Sequence, residues 1–177
     1  DICGGLLDGT ESSASICDDV RDNVVDDALS KADDKTKRKK KGWIKYLDLD
    51  EYGRATGADA YITPDMIGTG SPANHNIIPK DYVPNKGYAR GHLIAKNLGG
   101  SGNEKCNLVT IYQNPVNTPI MRGYEMAIAA RVLAGEGIRL TVRPVYGSNK
   151  SGIPRGISMI AVGDSGYKLE IFIPNKK

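Results

Sequence analysis

The sequence predicts an α+β protein with an antiparallel sheet as its core and helices packed on it. Three observations lead there. Short apolar runs of strand length recur along the chain, the stretches between them are rich in Gly, Asn and Ser, and only one segment of the main body has helical spacing over several turns. Turns of that composition join neighbouring strands in opposite directions.

Taken in order, the first 34 residues stand apart. They contain ten acidic residues against Arg21 and Lys31, a net charge of −8 in a chain of +3, so residues 35–177 carry +11. Val20, Val24, Val25, Ala28 and Leu29 fall at helical spacing and predict an amphipathic helix over about 18–31. The run Lys35-Thr-Lys-Arg-Lys-Lys-Lys41 follows and reads as a solvated linker. The expected organisation is an acidic helical leader with a basic linker, 1–42, and one main domain, 43–177.

In the main domain Asp59–Thr63 reads as a strand, and 64–84 as a long ordered loop rich in Pro, Gly and Asn. Tyr88–Ile94 and Asn107–Tyr112 read as short strands. Met121–Ala134 has helical character and stops at Gly135. Three strand candidates follow, at 139–146, 156–163 and 168–173.

Composition excludes several classes. No apolar run approaches the ~18–20 residues of a membrane-spanning helix, so membrane insertion is not expected. The cysteines Cys3, Cys17 and Cys106 form no Cys-x-x-Cys or Cys/His cluster, so a structural zinc site is not expected. Cys3 and Cys17 read equally well as a small disulfide loop and as two free thiols. The basic main domain points to an anionic partner, and a polyanion such as nucleic acid is the expectation.

Phosphodiester chemistry needs a base for water, a cation for phosphate oxygens and positive charge at the transition state. Only His75 and His92 are available as histidine bases. His75 lies in the polar loop Pro-Ala-Asn-His-Asn and reads as a surface residue. His92 closes a strand, with Arg90 two residues earlier on the same face and Gly91 between them allowing a ligand close to the backbone. Asn107, Asn114, Asn117 and Glu125 follow. Asparagine offers a neutral oxygen to a hard cation, and each of these asparagines also reads as a turn or cap residue.

The ordered set Arg90-Gly-His92, Gly99-Gly-Ser-Gly102, Asn107-Leu-Val, Asn117 and Glu125 resembles the non-specific DNA/RNA endonucleases with a ββα-metal, or His-Me finger, active site. The resemblance runs from about Arg54 to the end of the chain. Gly53-Arg-Ala-Thr-Gly57 and Gln113-Asn-Pro-Val-Asn117 are similar to the nuclease domains of bacterial polymorphic toxins. One departure is Ala89, where the family pattern has Asp. The resemblance implies a Mg²⁺-dependent endonuclease giving 5′-phosphate products, with Mn²⁺ as the alternative ion. It implies His92 as general base, Asn117 as metal ligand, Glu125 as holder of water beside the metal, and Arg90 and Arg54 as cations for developing charge. DNA, RNA or both are the implied substrates and a cognate immunity protein the implied partner. Secretion or delivery into a target cell is the implied setting. The alternatives are a nucleic-acid-binding module without catalysis and a metal-independent ribonuclease toxin.

Overall fold

A computed structural model describes residues 40–177. The expected 18–31 helix and the Cys3/Cys17 pair lie outside the described residues. Lys41–Lys177 form one compact unit.

That unit is built on a five-stranded antiparallel sheet. Its strands are β1 (Trp43–Tyr46), β2 (Ala58–Ile62), β5 (Ile138–Val145), β6 (Gly156–Gly163) and β7 (Lys168–Pro174), paired in the order β1-β2-β5-β6-β7. Between β2 and β5 the chain leaves the sheet and forms a two-stranded antiparallel ribbon, β3 (Tyr88–His92) with β4 (Leu108–Tyr112), and then helix α1 (Arg122–Leu133). The ribbon and helix are the ββα unit, and the α+β class holds.

Alternation along the strands sets the core. In β5, Ile138, Leu140 and Val142 are fully buried, while Arg139 between them is exposed. β2 answers with Ala58, Ala60 and Ile62, and β6 with Ile157, Met159 and Ala161. Ile128 and Val132 of α1 stand four residues apart, on one helix face, and pack in the same core as Leu93, Ile94 and Ile111 from the ribbon side. Gly91 belongs to this packing. A Cβ there would lie 2.5 Å from Ile111 Cδ1, so the glycine makes room for a core side chain rather than for a ligand.

The helix begins at Arg122 because the preceding segment, Gln113–Met121, is irregular. Asn114 and Thr118 are extended within it, and Pro119 lacks an amide donor. β1, the edge strand beside β2, is the element that the sequence reading lacked.

Candidate active site

The ribbon, the irregular segment and α1 converge on a cavity of about 630 Å³. Its walls include His92, Lys96, Asn97, Asn117, Arg122 and Glu125. Three expected residues, His92, Asn117 and Glu125, are thus brought together. Arg90 and Arg54 do not line it.

His92 ends β3, opposite Leu108 of β4. Its Nε2 lies 2.9 Å from the carbonyl oxygen of Ser71. A carbonyl only accepts, so Nε2 carries the proton and Nδ1 keeps its lone pair. Ser71 is itself fixed by the glycine-rich turn. Its amide donates to Gly100 O (3.1 Å), and its Oγ accepts from the Gly102 amide (2.8 Å). Any side chain at Gly100 would strike Ile94 O, only 1.7 Å from an added Cβ. The Gly-Gly-Ser-Gly stretch therefore holds the carbonyl that sets the histidine tautomer. The Ser101 amide donates to Tyr46 Oη (2.9 Å), which ties the turn to the end of β1. Burial pushes the His92 imidazole below its ordinary value, and the hydrogen bond to Ser71 opposes that in part.

Asn117 donates through Nδ2 to Gln113 Oε1 (3.1 Å), leaving its Oδ1 as an acceptor. Glu125 faces the same cavity from α1. Burial raises its carboxyl to about 7, against the opposing charge of Arg122. Asn107 has a different place. It is fully buried, accepts from the Ile94 amide (2.8 Å) and donates to Ile94 O (3.1 Å) and Ser101 O (2.9 Å). It pins the start of β4 to the turn. Asn114 is exposed and outside the cavity.

Arg90 projects from the His92 face of the ribbon, but each of its three nitrogens is already bonded. It binds Ile77 O (3.0 Å), His75 O (3.1 Å) and Tyr82 Oη (3.3 Å), with its guanidinium 4.3 Å above the Tyr82 ring. It straps the 64–84 loop along the ribbon. His75 is exposed, as expected, and takes part through its backbone. Arg54 is bound to Asp50 (2.7 Å) and to the carbonyls of Asn149 and Ser151, stacked 4.2 Å over Tyr146. It joins the β1–β2 connection to the β5–β6 connection. Ala89 pairs with Ile111 and alternation turns it to the face opposite His92, so a carboxylate in its place would point away from the cavity.

The sequence reading missed Arg122 and Lys96. The available signal for Arg122 was its spacing, three residues before Glu125 and so on the same helix face.

The donor set suits a hard cation of the Mg²⁺ kind. It offers one amide oxygen and one carboxylate in an open cavity, with room for water. Among the described residues there is no group of three or more His, Cys, Asp or Glu side chains, as a protein-only metal cage would need. Among the described residues, too, no helix is long and apolar enough to cross a membrane.

Solved structures share this fold. NucA from Streptococcus agalactiae with magnesium ion bound superposes with a TM-score of 0.68 at 18% identity, covering 79% of this chain and 75% of that one. The Sda1 nuclease with bound zinc ion gives 0.65 at 22% identity, covering 76% and 75%. An extracellular endonuclease gives 0.60 at 17%, covering 79% and 81%. At these identities the likeness is one of fold. No curated protein is found to match the chain. The family model described as DNA/RNA non-specific endonuclease matches residues 34–165, and on that match the chain belongs to the DNA/RNA non-specific endonuclease family.

Proposed function

We propose that this endonuclease is Mg²⁺-dependent, with Mn²⁺ as the alternative ion, and that it cuts DNA, RNA or both to 5′-phosphate products at the His92 cavity. The observation that carries the reading is the His92–Ser71 hydrogen bond, which leaves Nδ1 as a free base in the cavity that Asn117 and Glu125 share. Nδ1 takes a proton from water as the water oxygen attacks phosphorus. The bond from phosphorus to the 3′ oxygen breaks, the 3′ oxygen takes a proton from solvent to leave as a hydroxyl, and the phosphate stays on the 5′ side. Asn117 would hold Mg²⁺ directly and Glu125 would hold it through water. When bound, the ion supplies positive charge to the phosphate oxygens. The neutral amide adds no negative charge where an anionic substrate must enter. Contact with the backbone rather than the bases fits the basic main domain and makes binding fall steeply with salt.

The resemblance to polymorphic toxins supports a toxin effector domain that is secreted or delivered, with an immunity protein as cognate inhibitor. Residues 1–42 would be a leader and 43–177 the nuclease domain.

The test incubates the full chain with plasmid and with total RNA, with Mg²⁺, with Mn²⁺ and with chelator. Cleavage that chelator abolishes is expected. Cleavage that survives it would mean a metal-independent ribonuclease or nuclease, and binding without cleavage would mean a non-catalytic module.

A further inference from the structure

A phosphodiesterase site needs a fixed cation beside the scissile phosphate, and the two arginines expected there are occupied elsewhere. We propose that Arg122 is a catalytic residue of this site, its guanidinium facing the phosphate under attack. The inference rests on the nuclease reading and extends it.

Three observations converge on this residue. Arg122 lines the same cavity as His92, Asn117 and Glu125. Among the described residues its side chain makes no ion pair and no hydrogen bond, and it is exposed. Arg90 and Arg54, by contrast, are each tied to two loop carbonyls. Both are anchored at those loops, and neither lines the cavity. Arg122 has no hydrogen bond or ion pair among the described residues to break, and its charge already bears on Glu125.

Its place in the chain also fits. It opens α1 directly after the irregular segment that carries Asn117, and it precedes Glu125 by one turn. The base enters the cavity from the ribbon. Asn117 comes from the irregular segment, and Arg122 and Glu125 come from α1. Lys96, in the turn Lys96–Leu98 beside His92, is the other cation of the cavity. An ammonium is a point charge on a flexible stem. A guanidinium offers parallel donors at the spacing of two phosphate oxygens, the geometry wanted as charge grows there.

The experiment measures single-turnover plasmid cleavage at saturating enzyme and Mg²⁺ for wild type, Arg122→Ala, Arg122→Lys and His92→Ala. DNA binding without metal and thermal melting are recorded alongside. Arg122→Ala is expected to cleave about 10²-fold more slowly, the loss typical of one transition-state donor, with melting unchanged and binding altered only a few-fold. Arg122→Lys should fall between it and wild type. Millimolar guanidinium should restore part of the rate to Arg122→Ala and none to His92→Ala. A wild-type rate in Arg122→Ala overturns the assignment. So does a slow rate that neither lysine nor guanidinium raises, because that pattern belongs to an arginine that merely supports Glu125. If the wild-type chain itself does not cleave, the nuclease reading falls and the assignment falls with it. A cleaving wild type with an unaffected Arg122→Ala removes the assignment alone.

Discussion

The five-stranded sheet and the excursion between β2 and β5 share one apolar core but differ in what they add to it. Sheet positions that face inward are apolar and empty of polar contacts: Ala60, Ile62, Ile138, Leu140, Met159 and Ala161 are all fully buried. Their stability comes from area removed from water, at roughly 25 cal/mol per Å². The excursion buries apolar side chains too, Leu98, Ile111 and Ile128 among them, and adds buried polar groups. Asn107 and Thr110 are as inaccessible as Leu140, and both are bound to loop backbone, Thr110 through Lys80 O (2.8 Å). Arg90 and Ser71 extend the same scheme. Apolar packing tolerates a shift of a few tenths of an ångström. A side chain bonded to two particular carbonyls does not, and catalytic geometry needs that intolerance.

The largest expected effect tests the division itself. His92→Ala should slow cleavage by roughly 10²–10⁴-fold, the range for loss of a general base, while lowering the melting temperature far less than a truncation in the sheet, since it loses one hydrogen bond to Ser71 O. Leu140→Ala in the sheet should cost about 2–5 kcal/mol of stability and leave the rate of the folded fraction intact. Thermal melts and single-turnover rates on both variants decide it. A His92→Ala protein that cuts at the normal rate would end the assignment of the base.

A smaller effect sharpens the comparison within the excursion. Asn107→Ala strands the Ile94 amide, Ile94 O and Ser101 O, and leaving a buried polar group unpaired costs about 1–3 kcal/mol. Melting should fall while the Mg²⁺ needed for half-maximal cleavage stays put. Asn117→Ala should do the reverse, raising the Mg²⁺ requirement at unchanged melting temperature. If the two results are exchanged, the assignments of the two asparagines are exchanged as well.

The smallest effect is a shift in pH dependence. Burial lowers the pKa of His92, so its neutral form persists to lower pH than that of a free histidine. The base must be unprotonated, so cleavage rises with pH, and this acid limb should be centred below the ordinary value of about 6.5. A pH–rate profile of wild type at saturating Mg²⁺ checks it, and a limb centred above that value would contradict the burial argument.

Strand and helix positions were legible because they rest on periodicity. The expected helix 121–134 and the observed Arg122–Leu133 differ by one residue at each end, and β6 matches 156–163. β1 escaped because its burial alternates only between exposed and half-buried over four residues, so its pattern lacks contrast. The expected residues that meet in the cavity are His92, Asn117 and Glu125. What the sequence could not show was the engagement of each arginine. Arg54, Arg90 and Arg122 are the same residue type, and only tertiary partners separate two that tie loops from one that faces the cavity. Gly91 is a similar case, since the crowding that demands it comes from Ile111 across the ribbon.

Ile62 and Ile138 are register partners in adjacent strands, and the whole excursion, residues 63–137, is strung between them. In kinetic terms that pairing is a contact of very long sequence separation. The loop-closure entropy must be met before the central pair of the sheet can form, and topologies dominated by such contacts fold slowly. β5, β6 and β7 pair through short connections and can assemble without waiting. β1 and β2 form a second local pair. The sheet therefore comes together from two halves joined across the 63–137 segment, which also supplies half of the buried apolar side chains, and the refolding rate should respond strongly to substitutions there.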